Sequence, residues 1–185
     1  MMARNRKVFR RTDGYDPVDL LQYAVDHRDA AVSLFSSRPE FYDSAGYLAH
    51  ASVELLLKAV CLHVAGEFEE GHALLDQLST IEQNGLVLEI SDEHSNLLKR
   101  IDHLWDLRYP NPSEPKPVGH SDRDALVEIW SYLLSRLPRD LLDSYNTRPT
   151  NLKGGRTFMV RPAVTSVTER QGSSPPSVAV DVQIP

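Results

Sequence analysis

Three features of this chain predict an all-α fold, an antiparallel up-down bundle of four long helices plus one short helix. Residues 41–64 (FYDSAGYLAHASVELLLKAVCLHV) are apolar nearly all round, as suits a helix covered by neighbours on several sides. Apolar residues recur at helical spacing in three further segments, 17–36, 92–108 and 121–137. Residues that start and stop helices stand at the borders of these segments.

The elements follow in order. Asp16 before Pro17 reads as an N-cap with proline at the first helical position, and Leu21, Ala24, Val25, Ala31, Val32 and Phe35 then keep helical spacing. Ser37-Arg38-Pro39 ends that helix, and the central apolar helix runs until Gly66, a natural C-terminal stop. Residues 67–70 read as an acidic loop. Gly71-His72 opens the short helix, whose apolar members are Leu74, Leu75 and Leu78. Residues 80–91 fit either a helix extension or an irregular packed turn around Leu86-Val87-Leu88. Ser91 with Asp92 and Glu93 marks the next start, and its stripe of Leu97, Ile101, Leu104 and Trp105 runs out at Arg108. Four prolines in 109–120 (YPNPSEPKPVGH) rule out a regular helix there and predict an extended, partly polyproline-like loop. Ser121-x-x-Asp124 resembles a capping box before Leu126, Ile129, Trp130, Leu133 and Leu137, and a short helical turn over 139–144 follows Pro138.

Composition bounds the rest. At 185 residues with 41% hydrophobic, the chain fits one domain plus tails: a basic flexible arm (1–14), a helical bundle (15–146) and an extended Pro/Ser/Gly-rich tail (147–185). The tail carries β-prone fragments at 157–160 and 178–184, suited to adding a strand to a partner. The net charge of −6 divides into +5 on residues 1–12, +3 on 147–185 and −14 on 13–146. So acidic a body is a poor platform for broad phosphate-backbone binding. A single cysteine excludes an intrachain disulfide framework and suits a reducing cytosol. No basic start joins a long apolar run at the N-terminus, and His50, Glu54 and Lys58 interrupt the central helix. A cytoplasmic protein that does not engage a membrane is the expectation.

Few residues carry recognisable chemistry. His50, Glu54 and Lys58 recur every four residues and share one helix face, either a solvated stripe or a polar wall facing a cleft. Arg108 either stabilises a helix C-terminus, pairs with Asp102 or Asp106, or offers a fixed cation to phosphate. His120 and His72 sit at loop-to-helix junctions, open to solvent, whereas His63 and Cys61 belong to the apolar helix. No cluster has metal-ligand spacing, and there is neither a phosphate-binding glycine loop nor a nucleophile elbow. No metal or cofactor is therefore expected.

Several of these residues together resemble one family. Tyr47-Leu48-Ala49-His50-Ala51 through Glu54-Leu55-Leu56-Leu57-Lys58-Ala59 is followed by Gly66, Gly71-His72-x-Leu74-Leu75-x-x-Leu78, Arg108-Tyr109-Pro110 and a closing amphipathic helix. In this order and spacing, residues 40–137 resemble a HEPN domain of the nucleotidyltransferase-associated or toxin–antitoxin type. The resemblance implies a dimeric helical bundle that acts on or binds RNA or nucleotide in a prokaryotic toxin–antitoxin or defence setting, in many members as a metal-independent ribonuclease. It further implies a homodimer formed through the central helices, a nucleotidyltransferase-type or other protein partner, catalytic roles for Arg108 and His120, and binding roles for His50, Glu54, Lys58 and Tyr109. The family's ribonuclease motif sets a histidine four to six residues after the arginine, whereas here eleven residues separate Arg108 from His120. A folded-back loop of that length is long enough to close the gap. The alternatives are a non-catalytic HEPN bundle serving as an interaction subunit, and an unrelated bundle with a structural role.

Overall fold

The computed structural model describes residues 7–109, 111 and 113–148, and the expectations for 1–6 and 149–185 fall outside them. The first helix, α1 (Pro17–Ser37), starts as its sequence dictates, with the Asp16 carboxylate accepting from the Val18 N–H at 2.8 Å. A single 3-10 turn, Pro39–Phe41, leads into α2 (Tyr42–Val64). Helices that reverse so tightly and stay packed against each other run antiparallel. Then come α3 (Leu74–Gln83), α4 (Asp92–Asp102), α5 (His120–Ser135) and α6 (Arg139–Thr147). The result is an all-α bundle with one small two-stranded ladder.

The central helix behaves as its composition requires. Ala49, Val53, Leu56, Leu57 and Val60 are fully buried, packed among Phe35 of α1, Ile81 of α3 and Leu126 and Ile129 of α5 in one core. The stretch Pro39–Val64 is long and apolar enough to cross a membrane, yet 83% of its most apolar window is buried inside the bundle. Its hydrophobicity is that of a core helix. Enclosure leaves Leu48, Ala51 and Leu55 as a half-buried face of α2.

Three local readings are corrected and one open question is settled. Residues 67–70 are not simply a loop: β2 (Glu67–Glu69) pairs antiparallel with β1 (Val8–Arg10), with Phe9 opposite Phe68. The arm expected to be flexible over 1–14 is therefore tied down from Val8 onward. Cross-strand packing supplies the reason: Phe9 stacks on Phe68 with centroids 5.2 Å apart, Tyr15 meets both rings edge-on, and Arg10 pairs with Glu67 at 2.8 Å. Second, α4 does not reach Arg108 as an α-helix. It tightens after Asp102 into a 3-10 segment, His103–Arg108, and Leu98 is buried more completely than Leu97. Third, α5 begins at His120, where the Asp122 carboxylate accepts from the Gly119 N–H at 2.8 Å; Asp124 instead pairs with Arg123. Last, the open question at 80–91 resolves as a helix extension through Gln83 followed by an irregular packed turn. Its Leu88 is buried, and Glu89 lies at φ 52°, a left-handed conformation that β-carbon sterics disfavour. The Tyr132 hydroxyl lies 2.9 Å from the Leu88 carbonyl and 2.6 Å from that of Glu89, and Arg136 pairs with the Glu89 carboxylate at 2.8 Å.

Gly46 is needed for the seating of the 3-10 segment. A β-carbon there would lie 2.5 Å from Leu107 Cδ1 and 3.3 Å from Val118 Cγ1. Its absence lets Leu104 and Leu107 pack directly on α2, which brings Trp105 and Arg108 beside the polar face of that helix.

Candidate functional site

The polar residues of α2 form the back of the site. His50, Glu54 and Lys58 are buried, the first completely, so the face they share is not a solvated stripe. Lys58 Nζ donates to Glu54 Oε1 at 2.5 Å, the i,i+4 orientation that favours a helix ion pair. The loop before α3 adds His72, whose Nδ1–H donates to both carboxylate oxygens of Glu54, at 3.1 and 3.2 Å. One buried carboxylate is thus held by an ammonium and an imidazole.

His50 ties the same corner together. Its Nε2–H donates to the His72 carbonyl at 3.0 Å and lies 3.4 Å from Asp102 Oδ1. Asp102 in turn accepts from the Leu74 N–H at 3.1 Å, so the end of α4 anchors the start of α3. His50 Nδ1 has no hydrogen-bond partner among the described residues and lies 3.6 Å from Glu54 Oε2. Burial pushes the His50 pKa below its usual 6.5, and the Glu54 and Asp102 carboxylates only partly oppose that shift.

The 3-10 segment supplies the front. Trp105 stacks on the His72 ring at 3.6 Å and 16°, and its other neighbours are His50 at 5.3 Å and Tyr47 at 6.1 Å. The exposed Arg108 guanidinium lies 5.1 Å from the Trp105 centroid and 5.3 Å from that of Tyr109, a ring that is 77% exposed. No ion pair joins Arg108 to Asp102 or Asp106 among the described residues, because Asp106 is paired with Lys116 and Asp102 with His50. Arg108 stands in the last turn of the 3-10 segment, an outward-facing cation on an aromatic ladder.

The two residues read as a catalytic pair have different partners. His120 Nε2 lies 3.0 Å from the Tyr42 hydroxyl, its ring edge-on to the tyrosine. No hydrogen bond, ion pair or ring contact joins it to Arg108 among the described residues. One aromatic ring instead links Arg108 to His72. Sequence reasoning had marked His72 only as a junction residue, and Trp105 only as part of an apolar stripe. Two open clefts flank this ridge. One, about 500 Å³, is lined by His72, Phe68 and Gln77, and the other, about 540 Å³, by Trp105, Tyr109, Asn111 and Lys116. Among the described residues no group of three or more His, Cys, Asp or Glu side chains is arranged to hold a metal ion.

A helical bundle with a polar, aromatic-fronted corner at the junction of α2, α3 and α4 is the class of protein defined so far. The model of the HEPN domain family matches residues 18–135, well over half of the chain and all of this corner. The protein belongs to the HEPN domain family. No curated protein and no solved structure matches the chain.

Proposed function

We propose that the Arg108 face binds single-stranded RNA or a nucleotide. The observation that carries this reading is the ladder of His72, Trp105, Arg108 and Tyr109, in which an exposed guanidinium lies against two aromatic rings. Unpaired bases stack on such rings and phosphates take the bidentate guanidinium, and neither needs a broadly basic surface. This suits a body with a charge of −14. His50, Glu54 and Lys58 support the ladder from behind. The catalytic form of the proposal is a metal-independent endoribonuclease using Arg108 and a histidine, in a cytoplasmic toxin–antitoxin or defence setting.

A second reading is a non-catalytic interaction subunit, homodimeric or docked on a nucleotidyltransferase-type partner. The contact of His120 with Tyr42 rather than Arg108 favours it. Fluorescence anisotropy with a labelled single-stranded RNA separates the two. Wild type is expected to bind with a dissociation constant of about 100 μM or tighter. Arg108→Ala is expected to weaken binding about tenfold and to lower the salt slope by about one. Absence of binding by wild type, or equal binding by Arg108→Ala, would leave the interaction subunit as the function.

A further inference from the structure

We infer that the proton acceptor of this site is His72, positioned by Glu54; the inference rests on the reading of the Arg108 face as an RNA site. Three contacts set His72 apart from the other described histidines. Its Nδ1–H is held by both oxygens of a buried carboxylate, which fixes the tautomer and leaves the Nε2 lone pair free. Nε2 has no hydrogen-bond partner among the described residues, and the side chain is 41% exposed, so a substrate hydroxyl has access. The stack on Trp105 fixes the plane of the ring. A base oriented by a third group and open on its reactive nitrogen is the arrangement that proton abstraction from a hydroxyl requires.

The other histidines lack one part or another: His27 meets the Tyr23 carbonyl, and no carboxylate pairs with His103 among the described residues. His120 meets a tyrosine hydroxyl and no carboxylate. His63 has Asp140 at 3.1 Å, but that carboxylate is 77% exposed and so holds the ring loosely. His94 is stacked on Tyr132 with its Nδ1 on Ser91. His50 is completely buried.

Arg108 lies one ring beyond His72, its guanidinium on the same Trp105, within the reach of one nucleotide. The step then balances without any co-reactant. Arg108 holds a phosphodiester, and His72 Nε2 takes the proton of the adjacent ribose 2′-hydroxyl. The 2′-oxygen forms a bond to phosphorus and the bond from phosphorus to the 5′-oxygen breaks. The 5′-oxygen leaves with a proton from water. The products are a 2′,3′-cyclic phosphate and a free 5′-hydroxyl, and the proton on His72 returns to solvent. Glu54 is a positioning residue in this scheme, since it acts only through the imidazole.

The test uses the full chain and two readouts. A single-stranded oligoribonucleotide is incubated in EDTA with wild type, His72→Gln, Glu54→Gln and His120→Ala, and binding of the same RNA is measured by anisotropy. Wild type is expected to give cyclic phosphate ends. His72→Gln is expected to lose about 100-fold or more in rate, far beyond its loss of binding, Glu54→Gln to lose about tenfold, and His120→Ala to keep its rate. RNA that wild type binds and leaves intact, or a His72→Gln variant as fast as wild type, would overturn the assignment. The second readout needs no RNA: carbethoxylation of each histidine by diethyl pyrocarbonate, followed by mass spectrometry. Wild-type His72 is expected to react several-fold faster than in Glu54→Gln, with exposed His103 as the internal standard. Equal rates would overturn the dyad. Failure to bind RNA overturns the reading of the Arg108 face and removes the substrate; the carbethoxylation contrast then decides the dyad by itself.

Discussion

Lys58→Met isolates the energetic core of the site. The side chains of Lys58 and Glu54 are 11% and 9% exposed, and their 2.5 Å contact is the only ion pair between two fixed charges so deeply placed among the described residues. Removing the ammonium leaves a buried carboxylate with His72 alone as donor. Breaking a buried pair on one side costs about 3–5 kcal/mol, because the remaining charge stays desolvated. The double variant Glu54→Gln/Lys58→Met removes both charges and keeps an amide oxygen for the His72 N–H. Replacing both members of such a pair is close to neutral, so the double variant is expected to lose only about 1 kcal/mol. Urea unfolding of wild type, both single variants and the double variant, at constant m-value, closes the cycle. A coupling of at least about 1 kcal/mol is expected for side chains in direct contact. A Lys58→Met variant that loses less than about 1 kcal/mol, or a double variant as unstable as the sum of the singles, would refute the picture of a desolvated pair.

Three further outcomes follow from the same geometry. Because burial holds the His50 pKa below 6.5, the unfolded chain binds the proton first as pH falls; His50 thus contributes full stability above about 6.5 and progressively less below it. Thermal melts should show a Tm that drops from pH 7 to 5, and His50→Gln should flatten that slope; an unchanged slope would contradict the burial argument. Burial pushes the Cys61 thiol up to about 12, against the pull of nearby Lys58, so a disulfide reagent at pH 8 should label it only after unfolding. Rapid labelling of the native protein would show that α2 opens. Tyr132→Phe removes the hydroxyl that serves the Leu88 and Glu89 carbonyls and should cost about 1–2 kcal/mol by urea titration, where a loss below a few tenths would mean water replaces it.

What the sequence determined is what short-range chemistry decides. Asp16 and Ser91 mark helix starts because their side chains reach backbone N–H groups only two or three residues on, at 2.8 and 3.2 Å. The central helix was legible because apolar residues on every side of a helix leave no choice but the core. Arg108 stood out as a cation at the end of an apolar stripe. The order of helices, and with it the resemblance to HEPN domains, is a property of the linear pattern.

The tertiary structure alone decided which of these residues meet. Residues 67–70 carry no strong strand signal; 67–69 pair with 8–10 because Phe9, Tyr15 and Phe68 come together across more than fifty residues of chain. The turn from α-helix to 3-10 after Asp102 follows from packing of Leu104 and Leu107 against the bare backbone at Gly46. That packing places Trp105 on His72 and hence Arg108 one ring from a histidine that lies 36 positions earlier in the chain. Order along the sequence pointed to His120, the first histidine after Arg108, although the motif's spacing did not fit it. A site counts ångströms, and the contacts that set them lie between segments the sequence cannot bring together unaided.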